Sequence, residues 1–283
     1  FSYTTPNFRY SDRKLTTTLE SSVLDKEKEF GYKSSLNSFV LGTSFEQYEN
    51  VFIAPNLTIA FEDIEVDSTA SASTKKQEGN FFNSDLGYSL ILDKRNQSFK
   101  PTQGHILTFT QSLPIVQDSS SILNGVNLSK YKDFSEDVIG SVKIYARAIN
   151  GVDDDVRLTN RLYVPRKRLR GFNTYKTGPR DGSDYIGGNY VTALSTEAQL
   201  PNILPESYNT DFSLFFDSAN IWAVDYSDTL DETNKIRSSI GIVPQEVNLD
   251  ALFSPYKLLE LQAGLYLSLI HISEPTRRRG ISY

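Results

Sequence analysis

The stretch Ser141-Val-Lys-Ile-Tyr-Ala-Arg-Ala148 alternates residue by residue. Val142, Ile144, Ala146 and Ala148 fall on one side of an extended chain, and Ser141, Lys143, Tyr145 and Arg147 on the other. A period of two belongs to a strand with one apolar and one polar face, since a helix would repeat its apolar positions every three to four residues. The pattern recurs upstream, where Leu86, Tyr88, Leu90 and Leu92 alternate with Asp85, Gly87, Ser89 and Asp93. Extended along the chain it predicts antiparallel strands over 1–8, 13–23, 31–44, 50–64, 81–94, 104–115, 126–133, 138–150, 188–201, 210–224 and 236–243. Between them, Val66 to Asn80 and Gln117 to Leu128 are too polar to bury and read as solvated loops. No repeat of solenoid or propeller length interrupts this all-β reading.

Alternation alone fits a soluble sandwich as well as a membrane barrel. Two details tilt the balance toward a barrel with a hydrated interior. The polar faces carry full charges at Lys143, Arg147, Glu197 and Asp217, and Tyr190, Phe212 and Trp222 fall near strand ends, where interfacial girdle residues sit. The chain has no apolar run of transmembrane-helix length, a test that membrane strands escape.

Composition excludes several functions. Of 283 residues, 35 are acidic and 29 are Lys or Arg, giving a net charge of −6. That balance argues against a nucleic-acid partner. Cysteine is absent, and His105 and His271 are the only histidines. Thiolate chemistry, a Cys/His metal site and a Ser-His relay therefore lack their side chains, so no catalytic residue, metal site or cofactor is assigned. The run Asp153-Asp-Asp155 lacks the spaced ligands of a calcium loop and reads as a solvated turn.

The segment from about 150 to 188 is far longer than a hairpin requires, and such loops are functional or disordered. It carries Arg168-Leu-Arg170-Gly171-Phe172, then Gly178-Pro179-Arg180-Asp181 and Gly187-Gly188-Asn189. The glycines permit tight reversals and point to an ordered, folded-back loop with Arg170 at its tip. On the next predicted strand Val191, Ala193, Ser195, Glu197 and Gln199 share a face. On the one after, Ser213, Phe215, Asp217 and Ala219 do so. Glu197 and Asp217 thus point inward from neighbouring strands and form a receiver for a guanidinium, whose planar fork can bond two carboxylates. The alternative is an exposed loop arginine above two unrelated acids.

The sequence R-G-F, then G-P, then G-G-N resembles the sixth extracellular loop of the BamA-type outer-membrane assembly barrels, the POTRA-barrel superfamily. Asp93-Lys-Arg-Asn96 followed by Pro101-Thr-Gln-Gly104 resembles a strand connection of the same family. The chain departs from many relatives upstream of R-G-F, where Tyr163-Val-Pro-Arg166 replaces a Gly-Gly pair. The resemblance implies an antiparallel transmembrane β-barrel, here incomplete with about eleven or twelve of sixteen strands, and long extracellular loops. It also implies that Arg170 docks in the lumen on Glu197 and Asp217. The implied function is insertion of β-barrel proteins into the bacterial outer membrane by the parent protein, without catalysis or cofactor. Unfolded barrel substrates, outer-membrane lipids and accessory lipoproteins are the implied partners. The alternatives are a two-partner secretion or TamA-like transporter of the same superfamily, or the barrel of a patatin-like lipase fusion. Residues 1–266 are expected to be the partial barrel, with 244–266 divergent or frame-shifted. Residues 267–283, with Leu267-Ser-Leu-Ile-His-Ile-Ser-Glu-Pro-Thr-Arg277, resemble a translated sequencing adapter and are expected to be a non-native tail. The missing strands and POTRA repeats lead to the expectation that the fragment is inactive on its own.

Overall fold

The computed structural model describes residues 1–26, 31–70, 72–135, 138–181, 184–200 and 212–224. Eight strands follow one another from the start: β1 (Ser2–Thr5), β2 (Lys14–Lys26), β3 (Tyr32–Tyr48), β4 (Val51–Val66), β5 (Gly79–Asp93), β6 (Gly104–Gln117), β7 (Ser121–Asp133) and β8 (Ile139–Gly151). A long loop carrying the two-residue strands β9 (Arg180–Asp181) and β10 (Asp184–Tyr185) then leads to β11 (Tyr190–Leu200) and β12 (Phe212–Trp222). All but β9 and β10 form a single ten-stranded sheet, ordered β1-β2-β3-β4-β5-β6-β7-β8-β11-β12 and antiparallel at every step. The predicted strand 236–243 lies outside the described residues, as do 244–266 and the 267–283 tail.

The ladder registers fix which side chains share a face. Lys143 pairs with Ser195, which pairs with Asp217, while Ser141 pairs with Glu197, which pairs with Phe215. Odd-numbered residues of β8, β11 and β12 therefore face the long loop, and even-numbered ones face away. That outer face is apolar yet open, with Leu86 47% exposed, Val142 42% and Leu214 51%. Water would penalise such a surface, whereas lipid would solvate it. At the loop end of the last two strands, Tyr190 stacks on its ladder partner Trp222 with ring centroids 5.8 Å apart. Phe212 opens β12 at the opposite end.

Two polar stretches differ from their sequence reading. Gln117 to Leu128 is mostly strand rather than loop, because β7 begins at Ser121 and pairs with β6 and β8 along its length. Its inner positions mix Leu123 with Ser121, Gly125, Asn127 and Ser129, and Ser121 and Gly125 are buried. Leu123 faces inward and Asn124 outward, which breaks the period-two contrast that marks a half-polar strand. Between β4 and β5 the chain forms a one-turn helix, α1 (Ala72–Lys75), with Ala70 and Thr74 buried. Gln77 just beyond it accepts a hydrogen bond from the Leu158 N–H of the long loop.

The β5–β6 turn explains the Asp93-x-Arg-Asn motif. Arg95 grips Asp93 with two parallel bonds, Nε to Oδ1 at 2.8 Å and Nη2 to Oδ2 at 2.7 Å. The Asn96 side-chain oxygen accepts from the N–H groups of Thr102 and Gln103, both at 3.2 Å, and its amide donates to the Thr102 hydroxyl at 2.8 Å. Gly104 takes φ +93°, and a β-carbon there would collide with the Lys94 carbonyl. Asn96→Ala removes three bonds and should cost about 1–3 kcal/mol, read as a lower urea midpoint of the refolded protein. Ser98→Ala in the same turn, where only the Ser98 carbonyl is engaged by Arg95, should stay within about 0.5 kcal/mol.

Candidate functional site

The loop between β8 and β11 lies against the inner face of the sheet and is held at three places. Its first stretch, Asp153 to Asp155, is exposed, as expected of a solvated turn, but Val156, Arg157 and Leu158 are buried immediately after it. Its middle carries the basic run: Arg166 and Lys167 are exposed, while Arg168 turns inward over the Tyr145 ring at 5.4 Å. Leu169, between the two inward arginines, is 4% exposed and packs with Val164, Val191, Ala193, Ala219 and Ile221, flanked by Phe172 and Leu162. This apolar cluster between loop and sheet is what fixes the loop's depth. Burying its members stabilises the docked state by roughly 1.5–3 kcal/mol for each large side chain.

Arg170 then reaches the two carboxylates that strand parity assigned to one face. Its Nε donates to Asp217 Oδ2 at 2.7 Å and its Nη2 to Oδ1 at 2.8 Å, while its backbone N–H donates to Oδ2 at 3.1 Å. Nη1 lies 3.5 Å from Glu197 Oε2, and the guanidinium carbon sits 3.5 Å from the Phe215 ring centroid. The ladder makes this possible. Phe215 is opposite Glu197, with Asp217 two residues along the same strand, so the three present a flat aromatic floor with an acid on each side. Lys143 Nζ also reaches Glu197, at 3.2 Å, so two cations share two carboxylates and the cluster is neutral. The hydrogen bonds to Asp217 push the Arg170 pKa above its ordinary value, although partial burial opposes them. Asp217, 3% exposed on its side chain, would be an uncompensated buried charge if the docked loop lacked the Arg170 guanidinium.

The remaining motif residues shape the loop around this contact. Gly171 takes φ +84°, the left-handed region that lets the chain reverse immediately after Arg170. Gly178 and Pro179 are buried, and the Pro179 carbonyl accepts the Ile186 N–H at 3.1 Å. Gly187 and Gly188 are buried where the loop returns. Gly188 lies so close to β12 that a β-carbon would meet the Trp222 carbonyl at 2.7 Å. It exchanges backbone hydrogen bonds with Leu162, and the Asn189 N–H donates to the carbonyls of Trp222 and Ala223. The loop's two limbs are thereby tied to each other and to the sheet.

The second anchor escaped the sequence reading. Arg157, 4% exposed, places Nη1 3.6 Å from Glu62 Oε2 on β4 and donates from Nη2 to Asn83 Oδ1 on β5 at 2.8 Å. Its guanidinium lies 4.2 Å from the Phe81 ring centroid. Glu62, itself 7% exposed, accepts from Ser34 Oγ at 2.7 Å and from Thr159 Oγ1 at 3.1 Å. Burial pushes the Arg157 pKa below its ordinary value, against the pull of Glu62. The only available signal was that Glu62 shares strand parity with Ala60 and Ile64. A buried acid flanked by apolar inner-face residues needs a cation, but parity does not say which one 95 positions away.

An antiparallel sheet with an apolar outer face, a charged inner face and a long loop folded onto that inner face defines a membrane β-barrel with an occupied lumen. The chain belongs to the Omp85 superfamily, whose domain model matches residues 1–243. It is 26% identical over 195 residues to the outer membrane protein assembly factor BamA of Neorickettsia risticii, covering 65% of this chain and 26% of that protein. It is also 26% identical over 173 residues to the human sorting and assembly machinery component 50 homolog, covering 56% of this chain and 36% of that protein. The fold is similar to the crystal structure of Haemophilus ducreyi BamA lacking POTRA domains 1–3, with a TM-score of 0.68 at 19% identity, covering 78% of this chain and 48% of that one. The chain thus spans about a quarter to a third of the length of these curated relatives.

The buried Arg157–Glu62 contact yields a direct prediction. Glu62→Ala leaves Arg157 buried without its acid, a loss of about 3–5 kcal/mol for a buried pair, which should release the first limb of the loop. Limited trypsin digestion of the refolded protein should then cleave after Arg157 at least tenfold faster, while Glu65→Ala on the same strand, an exposed acid, should leave the rate unchanged.

Proposed function

We propose that this barrel segment belongs to a machine that inserts β-barrel proteins into an outer membrane, with the Arg170 loop as its positioning element. The observation that carries the reading is the contact of Arg170 with both Asp217 and Glu197. It ties a loop tip to two successive strands and so sets how the last described part of the sheet is held. Membership of the Omp85 superfamily supports it, as do relatives named as an outer membrane protein assembly factor and a sorting and assembly machinery component.

On this reading the chain carries out no bond chemistry. Unfolded barrel chains are its substrates, the lipids of the bacterial outer membrane surround its outer face, and accessory lipoproteins are its partners. Arg170, Gly171 and Phe172, together with Gly178, Pro179, Gly187, Gly188 and Asn189, form a loop that keeps the lumen filled and the strands in register. Glu197 and Asp217 are its receivers. A docked, preorganised loop keeps the sheet in one geometry while an incoming strand pairs at an exposed edge, where unpaired N–H and C=O groups supply the template.

The test is a chimera in which residues 139–222 replace the equivalent strands and loop of a complete assembly factor, expressed in cells depleted of their own copy. The chimera should restore folded outer-membrane barrels, scored as heat-resistant species on gels. Arg170→Ala should lower that yield severalfold. An Arg170→Ala chimera that folds and assembles as well as the parent chimera would sink the proposal. A chimera that secretes a partner protein but assembles no barrels would point to transport.

A further inference from the structure

The outer face carries a groove of about 680 Å³ at the end of the sheet opposite the long loop. Two adjacent ladder rows build it. Lys130, Val142, Thr196 and Phe216 are successive partners across β7, β8, β11 and β12, and Lys132, Gly140, Ala198 and Leu214 form the next row. The middle of the second row is glycine and alanine, so the surface is recessed there across about two strand spacings, ~10 Å. Leu214 and Phe216 rise on one side. The exposed Lys130 and Lys132 rise on the other, and Phe134 closes the hairpin end by lying over Gly140.

Three observations select an occupant. The recess is apolar and sits on the outer face, whose exposed residues include Val142, Ile144, Leu194 and Leu214. Two cations stand side by side on one rim, in a chain whose net charge is −6. The rim lies at a strand end, where β8 has just begun and the hydrocarbon region gives way to headgroups. An acyl chain in the groove would place its own headgroup phosphate beside those ammonium groups, which favour phosphate as point charges.

We propose that this groove is a binding site for an anionic phospholipid, with one acyl chain over Gly140 and Ala198 and the phosphate held by Lys130 and Lys132. The proposal rests on the membrane-barrel reading of the outer face. Neutral phospholipids would fill the same recess, but a headgroup with net negative charge gains from both lysines while a zwitterionic one does not. At about fivefold per surface lysine as an upper guide, anionic lipid should be preferred by about five- to tenfold.

The test uses the full chain with its single tryptophan moved into the groove, as Trp222→Phe with Leu214→Trp, in vesicles of phosphatidylcholine or of phosphatidylcholine mixed with phosphatidylglycerol. Either lipid is supplied brominated to quench the indole. Phosphatidylglycerol should quench with a relative affinity about five- to tenfold above phosphatidylcholine. Lys130→Gln with Lys132→Gln should bring that ratio to about one. Ala198→Phe, which fills the floor but spares the charges, should weaken the preference as well. Equal quenching by both lipids with the lysines in place, or a preference that survives their removal, would overturn the site. Absence of quenching by either lipid would instead overturn the lipid-facing reading of the whole outer face. Quenching by phosphatidylcholine is unaffected by the lysines on this account, so it reports that each variant has folded and inserted.

Discussion

A carboxylate on a buried strand position must find a cation, and Asp217 finds Arg170. Its side chain is 3% exposed and accepts three hydrogen bonds from this one residue, two from the guanidinium and one from the backbone N–H. Much of the surrounding design serves that meeting. The strand register sets Phe215 and Glu197 beside Asp217. The apolar cluster around Leu169 fixes the depth at which the loop runs, and Gly171 allows the chain to turn away once the contact is made. Arg, rather than Lys, suits the place because its planar fork can engage Asp217 along one edge while a remaining N–H faces Glu197.

The loop is not a single tethered finger. Arg157 and Glu62 hold its first limb to β4, Arg170 holds its middle to β12, and Gly188 with Asn189 ties its return to Leu162 and to the end of β12. One segment thus bonds to strands six places apart in the ten-stranded sheet. Such bracing matters for a sheet whose outer face offers water no favourable surface and whose inner face is too charged to collapse on itself. The loop supplies the apolar filling and the countercharges that the inner face lacks.

Much of this was legible in the sequence because strands translate parity directly into direction. The alternation around Ser141–Ala148 predicts β8 within a residue at each end, and the parity of Glu197 and Asp217 puts both on one face. Parity fails where contrast is weak. Ser121 to Leu128 reads as loop because the stretch is polar and its alternation is broken by Leu123 facing in and Asn124 facing out, although the ladder continues through them. Parity also carries no information about contacts between distant segments. Arg157 and Glu62 each looked ordinary, one in a loop and one on a strand, and only the fold of the loop brings them together.

The central claim is that Arg170 and Asp217 act as one unit to hold the loop on the inner face. A double-mutant cycle of Arg170→Ala and Asp217→Asn tests it most directly, with hydrogen exchange at the amides of Gly188 and Asn189 reporting the free energy of loop opening. A direct pair predicts a coupling of about 1–3 kcal/mol, so that the double variant opens little more than either single one. Effects that simply add, with coupling under about 0.5 kcal/mol, would contradict it and leave the apolar cluster alone to hold the loop.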